Sequence, residues 1–120
     1  MIALGGRGRV FAYPSPVDLR LGYNGLVGLV RHGLGRDPLS GDLFLFVSRR
    51  RQCCKVLCWD GTGLCLYMKH LERGRFAALW REPVGHEIRL TSSELQLFLE
   101  GCTLVGRQAL SPPEVDVGFP

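Results

Sequence analysis

A chain of 120 residues with 46% apolar and 22% charged side chains has the size and composition of one folded domain and is too short for two. No apolar run nears the ~20 residues of a membrane-spanning helix, and residues 1–9, mostly Gly and Arg, lack the apolar core of a secretory signal, so a cytoplasmic location is expected. A formal charge of +4 favours polyanionic partners.

In chain order, Arg9 to Tyr13 predicts a short strand ending at Pro14. Ser15-Pro16-Val17-Asp18 carries a cap serine, a proline at the first helical position and an acid three residues after the cap. A helix is expected from about Pro16 to Leu34, with Leu19, Tyr23, Leu26, Val27, Val30 and Leu34 on one face and Gly33 or Gly35 closing it. Gly22, Gly25 and Gly28 each cost such a helix roughly 0.5–1 kcal/mol where exposed. Close packing on a sheet is the plain reason for them, and a smooth face for another chain or a phosphate backbone is the other.

After the connector Asp37-Pro38-Leu39-Ser40-Gly41 come three strand patterns, Asp42 to Ser48, Cys53 to Trp59 and Leu64 to Glu72. They are joined by the Arg49 to Gln52 loop and by Asp60-Gly61-Thr62-Gly63, a strong turn signal. An antiparallel meander is expected. Symmetric loops would set Phe44 against Leu57, Phe46 against Lys55, Trp59 against Leu64 and Leu57 against Leu66. Alternation then puts Phe44, Phe46, Leu57, Trp59, Leu64, Leu66 and Met68 on one face, with Trp59 largely buried beneath the first helix. The other face, with Leu43, Leu45, Val47, Cys54, Val56, Cys58, Cys65, Tyr67 and Lys69, is still apolar enough to need a C-terminal cover or to form an interface.

From Arg73 to Glu87 the period breaks at Gly74, Pro83 and Gly85. Ile88 to Leu90 reads as a short strand. Thr91-Ser92-Ser93-Glu94 is a capping-box sequence, opening a helix on Leu95, Phe98, Leu99 and Cys102 that ends near Gly101. The expected fold is α+β: an antiparallel β-meander sheet packed against an N-terminal helix, with a second short helix near the C-terminus. Residues 1–106 form one domain and residues 107–120, which include Ser111-Pro112-Pro113, form a flexible tail.

Catalytic patterns are missing. Cys53, Cys54, Cys58 and Cys65 lie within strands, with Cys54 and Cys58 on one face and Cys53 on the other, whereas structural zinc ligands pair on turns. No metal site is expected. His32, His70 and His86 lie in no nucleophile motif, the acids are dispersed rather than convergent as metal-dependent nucleases need, and no phosphate-cradling Gly-Lys-Ser/Thr loop occurs. What stands above background is a cationic cluster: Arg49, Arg50, Arg51, Lys55, Lys69, His70, Arg73 and Arg75. The first loop and the end of the third strand return to one edge of a meander, where several cations could contact phosphates.

The stretch from Asp60 to Phe76, Asp-Gly-Thr-Gly-Leu-Cys-Leu-Tyr-Met-Lys-His-Leu-Glu-Arg-Gly-Arg-Phe, resembles the small accessory protein of insertion sequence 66 elements. Pro16 to Gly22, Asp37 to Gly41 with Leu43 to Phe46, Lys55 to Asp60, and Leu90 to Gly101 resemble further segments of that family in the same order, over roughly residues 9 to 102. The resemblance implies a non-enzymatic role in bacterial DNA transposition beside a separate transposase, without a cofactor. Its expected partners are DNA and that transposase. Two classes stay open: nucleic-acid binding through the basic edge, or docking on the transposase through the less polar sheet face or the glycine-bearing helix. The sequence departs from the family at Gln52-Cys53-Cys54, where a polar Gly/Asp turn is usual, and at Ala77-Ala78-Leu79-Trp80, where Trp-Pro is common.

An odd number of cysteines in a chain without a signal reads as reduced thiols. Thiol counting of the denatured protein should therefore find all five cysteines free, and metal analysis of the purified protein should find no stoichiometric zinc.

Overall fold

A strand that is apolar at every position must be covered on both faces, and Leu43-Phe44-Leu45-Phe46-Val47 is such a strand. In the computed structural model, which describes residues 8–80 and 88–101, all five of these residues are buried and the strand is the middle one of a five-stranded sheet. The strands are β1 (Val10–Ala12), β2 (Leu43–Val47), β3 (Cys53–Trp59), β4 (Leu64–His70) and β5 (Ile88–Leu90), in the order β4-β3-β2-β1-β5. Between β1 and β2 lies α1 (Tyr23–Gly28), continued by a π-helical stretch, Leu29–Gly33, and α2 (Ser92–Leu99) follows β5. None of the helices described is long and apolar enough to cross a membrane.

The strands β2, β3 and β4 form the expected meander, in the register that symmetric loops require. Phe44 faces Leu57 and Phe46 faces Lys55, while Leu57 faces Leu66 and Trp59 faces Leu64. The sheet as a whole is mixed, however, and not purely antiparallel. β1 runs parallel to β2, with Val10 opposite Leu43 and Ala12 opposite Leu45, and β5 pairs antiparallel with β1 at the far edge. A helix between two neighbouring strands carries the chain back to its starting end, so the second strand enters parallel to the first.

That parallel entry is pinned by an ion pair. The Arg9 guanidinium donates to Asp42 Oδ2 at 3.1 Å, the Arg9 N–H to Oδ1 at 3.0 Å, and the Ser40 hydroxyl to Oδ2 at 3.0 Å. Burial alone would raise the Asp42 carboxyl, but these hydrogen bonds together outweigh it and hold the group below its ordinary value.

The first helix begins later than its cap sequence suggests, at Tyr23 rather than Pro16. The Val17 N–H is taken by the Val47 carbonyl at 2.9 Å, which prolongs the contact with β2 past the end of β1. Asp18 spends its carboxylate on the N–H and guanidinium of Arg20, and Leu21 N–H closes a turn onto the Asp18 carbonyl at 3.1 Å. The acid placed to cap a helix caps a turn instead. At the other end Gly35, at φ 64°, terminates the helix, and the Arg36 N–H reaches the Val30 carbonyl at 3.0 Å. Gly33 passes so close to Tyr13 that a Cβ there would run into its ring.

Two apolar layers result. On one face Leu26 and Val30 of the helix pack with Phe11, Val17, Phe44, Phe46 and Leu57. On the other, Leu43, Leu45, Val47, Cys54 and Val56 are covered by Phe76 and Leu79 with Leu95, Phe98 and Leu99 of α2. The Phe76 and Phe98 rings stack at 4.8 Å. The face that needed either a C-terminal cover or a partner therefore has its cover. The capping box forms as read, Glu94 N–H donating to Thr91 Oγ1 at 3.0 Å and Thr91 N–H to Glu94 Oε1 at 2.7 Å, and Gly101, at φ 74°, follows the helix. Cys102, residues 81–87 and the expected tail at 107–120 lie outside the described residues.

Two side chains expected in the core are not in it. Trp59 is only half-buried and Met68 is 56% exposed. The helix sits over Phe44, Phe46 and Leu57 at the sheet centre, leaving the β4 edge and the corner by the Asp60–Gly63 turn uncovered. Truncating Phe46, wholly buried, to alanine should cost about 3–5 kcal/mol in chemical denaturation, and Trp59→Ala should cost clearly less.

Candidate nucleic-acid interface

Antiparallel strands joined by a short loop return their neighbours' ends to one edge, so the β2–β3 loop meets the segment leaving β4. The loop is tightly built. Ser48 N–H donates to the Cys53 carbonyl at 3.0 Å, Arg51 N–H to the Ser48 carbonyl at 2.9 Å, and Cys53 N–H to Ser48 Oγ at 3.2 Å. Arg51 ends the turn at φ 60°, a left-handed conformation that suits glycine and costs other residues roughly 1–2 kcal/mol.

Arg51 also joins the two segments. Its carbonyl accepts from Phe76 N–H at 2.6 Å, its guanidinium donates to the Phe76 carbonyl at 3.1 Å, and next to it Leu71 N–H donates to the Gln52 carbonyl at 2.8 Å. Phe76 is a core residue, so the loop, the segment after β4 and the α2-side layer are held as one unit.

The eight cationic positions singled out in the sequence separate into groups. Arg49 and Arg50 on the loop, and Arg73 and Arg75 on the segment after β4, are exposed. Among the described residues the ion pairs are Arg9 with Asp42 and Arg20 with Asp18, so none of these four arginines is paired with a carboxylate of those residues. Arg51 is occupied as a strut. Lys55 is buried and donates to the Leu21 carbonyl at 3.0 Å, on the α1 face. Lys69 donates to the Leu99 carbonyl at 2.7 Å, at the C-terminal end of α2 on the opposite face, where a cation complements the helix dipole. His70 sets Nδ1 2.7 Å from Cys53 Sγ.

A groove of about 460 Å³ opens between the loop and the segment before α1, lined by Pro16, Val17 and Asp18 on one side and by Arg49, Arg50, Cys53 and His70 on the other. Asp18 is ionised there. The side-chain hydrogen bond from Arg20, backed by the Arg20 N–H, holds its carboxyl down to about 2, and the same guanidinium balances its charge.

Two features went unread in the sequence. The Cys53–His70 contact follows from the register that opposes Leu57 and Leu66, since that register also sets Cys53 against His70; the signal was present. The second is a set of three arginines around the buried Phe11 ring, with the guanidinium carbons of Arg36, Arg9 and Arg89 at 3.8, 5.3 and 5.9 Å from its centroid. Only the placement of β1 between β2 and β5 brings these distant positions together, and no local pattern announces it.

The remaining thiols are quieter. Burial pushes Cys54 up to about 12 and also raises Cys58, and the hydrogen bond to the Asp60 carboxylate raises Cys65. Asp60 itself is held down to about 2 by the N–H groups of Thr62 and Gly63. Among the described residues no group of three or more His, Cys, Asp or Glu side chains converges as a metal site would require.

The fold is that of a small α+β protein with a mixed five-stranded sheet and exposed arginines on the loops at one end of it. Residues 8–109 match the family model described as IS66 Orf2-like protein, and the chain belongs to that family. It is 44% identical over 107 residues to an uncharacterized protein, y4jC, of Sinorhizobium fredii, covering 88% of this chain and 90% of that one. It is 36% identical over 101 residues to a second from the same organism, y4hO, covering 84% and 86%. No solved structure matches the chain.

The geometry at Arg51 separates its two roles. Arg51→Ala loses the bond to Phe76 and keeps the left-handed backbone, whereas Arg51→Gly loses the bond and relieves the backbone. In denaturant melts the glycine variant should be the more stable of the two, by about 1 kcal/mol; equal stabilities would show that the φ value carries no cost.

Proposed function

We propose that the chain is a non-catalytic accessory protein for DNA transposition and that it binds the phosphate backbone through Arg49, Arg50, Arg73 and Arg75. Membership of the IS66 Orf2-like family points to the accessory role and supplies DNA as the natural polyanion. The observation that carries the binding reading is the joining of two loops by Arg51, Gln52, Leu71 and Phe76, which holds four exposed guanidiniums at one end of the sheet. A fixed cationic edge loses less side-chain and loop freedom on contact than cations scattered on mobile segments. Lys55, Lys69 and Arg51 support the layers behind this edge, and His70 sits in the groove beside it.

A second reading, docking on the partner transposase without touching DNA, has one observation in its favour. α2 and Phe76 occupy the less polar sheet face, but among the described residues nothing lies near a Cβ built at Gly22, just before α1, or at Gly28 at its end, and Tyr23 is 47% exposed.

Contacts to about four phosphates would make log affinity for duplex DNA fall with log salt at a slope of roughly −3 to −4. Changing Arg49, Arg50, Arg73 and Arg75 together to alanine should flatten that slope, with each exposed substitution costing within about 0.5 kcal/mol of stability. A variant that binds like the parent would overturn the assignment of these residues. A parent that fails to bind DNA at low salt, yet is retained by the transposase, would shift the function to docking.

A further inference from the structure

Cys53 and His70 are directly opposed on β3 and β4, with Sγ and Nδ1 2.7 Å apart, and both line the groove that Arg49 and Arg50 also line. A thiol in contact with an imidazole has beside it a base that can take its proton, and Arg49 and Arg50 line the same groove. Cys53 keeps partial exposure, so a reagent can reach it. The other described cysteines lack this combination: Cys54 is buried, Cys58 stands where burial disfavours its thiolate, and Cys65, although exposed, donates to the Asp60 carboxylate at 3.4 Å, a neighbour that disfavours its thiolate.

We propose that Cys53 is a reactive thiol that forms mixed disulfides with small carboxylate-bearing disulfides, whose acid groups are received by Arg49 and Arg50. In the exchange the Cys53 proton passes to His70 Nδ1 and the thiolate attacks one sulfur of the reagent. A protein–sulfur bond forms, the reagent's S–S bond breaks, and its second half departs as a thiolate. The adduct fills the groove and places its carboxylates against the two arginines. This proposal needs no nucleic acid, so its fate is separate from that of the DNA reading.

The test reacts the full chain, at low salt, with one equivalent of dithiobis(nitrobenzoate), an anionic disulfide, and locates the adduct by peptide mass spectrometry. The label is expected on Cys53 ahead of Cys54, Cys58, Cys65 and Cys102. Cys53→Ser should remove the fast phase. Arg49→Gln with Arg50→Gln should slow the anionic reagent by about tenfold at low ionic strength with little effect on neutral dipyridyl disulfide, and His70→Gln should slow both. First labelling of Cys65 or Cys102 in the unaltered protein would overturn the proposal whatever the variants do. So would an arginine double variant that shows no preferential slowing of the anionic reagent.

Discussion

The two-sided burial of β2 is the constraint on which the rest of this structure depends. Five consecutive apolar side chains point alternately to opposite faces, so neither face can be left to water, and a chain of this length must find two covers. It spends the segment between β1 and β2 on one cover and the region from Phe76 through α2 on the other. The first choice makes β1 enter parallel to β2, because the helix that covers the face is also the crossover. The second brings Phe76 under the sheet, and through Phe76 it ties down the loop that carries Arg49 and Arg50.

Where an element is governed by alternation and turn chemistry, the sequence was legible. The meander register followed from two loop lengths and was met at Phe44–Leu57, Phe46–Lys55 and Trp59–Leu64, and Thr91 with Glu94 built the capping box their spacing calls for. Reading failed where one local signal served another purpose. Ser15-Pro16-Val17-Asp18 has the residues of a helix start, yet Val17 is drawn to the β2 backbone and Asp18 to Arg20, so the helix waits for Gly22 and Tyr23. Trp59 has the right parity for the core, but parity says nothing about how far along the sheet a helix of this length reaches. The parallel pairing of β1, held by Arg9 and Asp42 across 33 residues, depends on a contact that no window of sequence contains.

The candidate site shows the same division. That its cations lie near one end of a meander could be read from the sequence; their occupation could not. Lys55 and Lys69 alternate onto opposite, covered faces of the sheet, and a charged group at the rim of an apolar layer is stable there only if its long stem packs and its head finds an acceptor. Each finds a backbone carbonyl, of Leu21 and of Leu99, and each thereby fastens one layer to β3 or β4. Lys55 is buried and Lys69 half-buried, and both ammonium groups are already engaged by backbone carbonyls.

It follows that net charge overstates the cationic surface of such a fold, and that the useful charge collects on loops. A strand residue in a sheet covered on both sides has no third direction to face, whereas Arg49 and Arg50 on the loop and Arg73 and Arg75 after β4 are exposed. Holding those loops still is then the structural problem, and here it is solved by backbone hydrogen bonds together with the guanidinium of Arg51, at the cost of a left-handed residue that is not glycine. The arrangement also explains why a histidine and a cysteine meet at this end. They are the last opposed pair of β3 and β4 before the chain turns away, lying on the α1 face but beyond the helix itself, where the segment around Pro16 and Val17 leaves a groove instead of a seal. Cations and thiol thus share one cause, the ending of the covered sheet, and Arg49, Arg50 and Cys53 line one groove there.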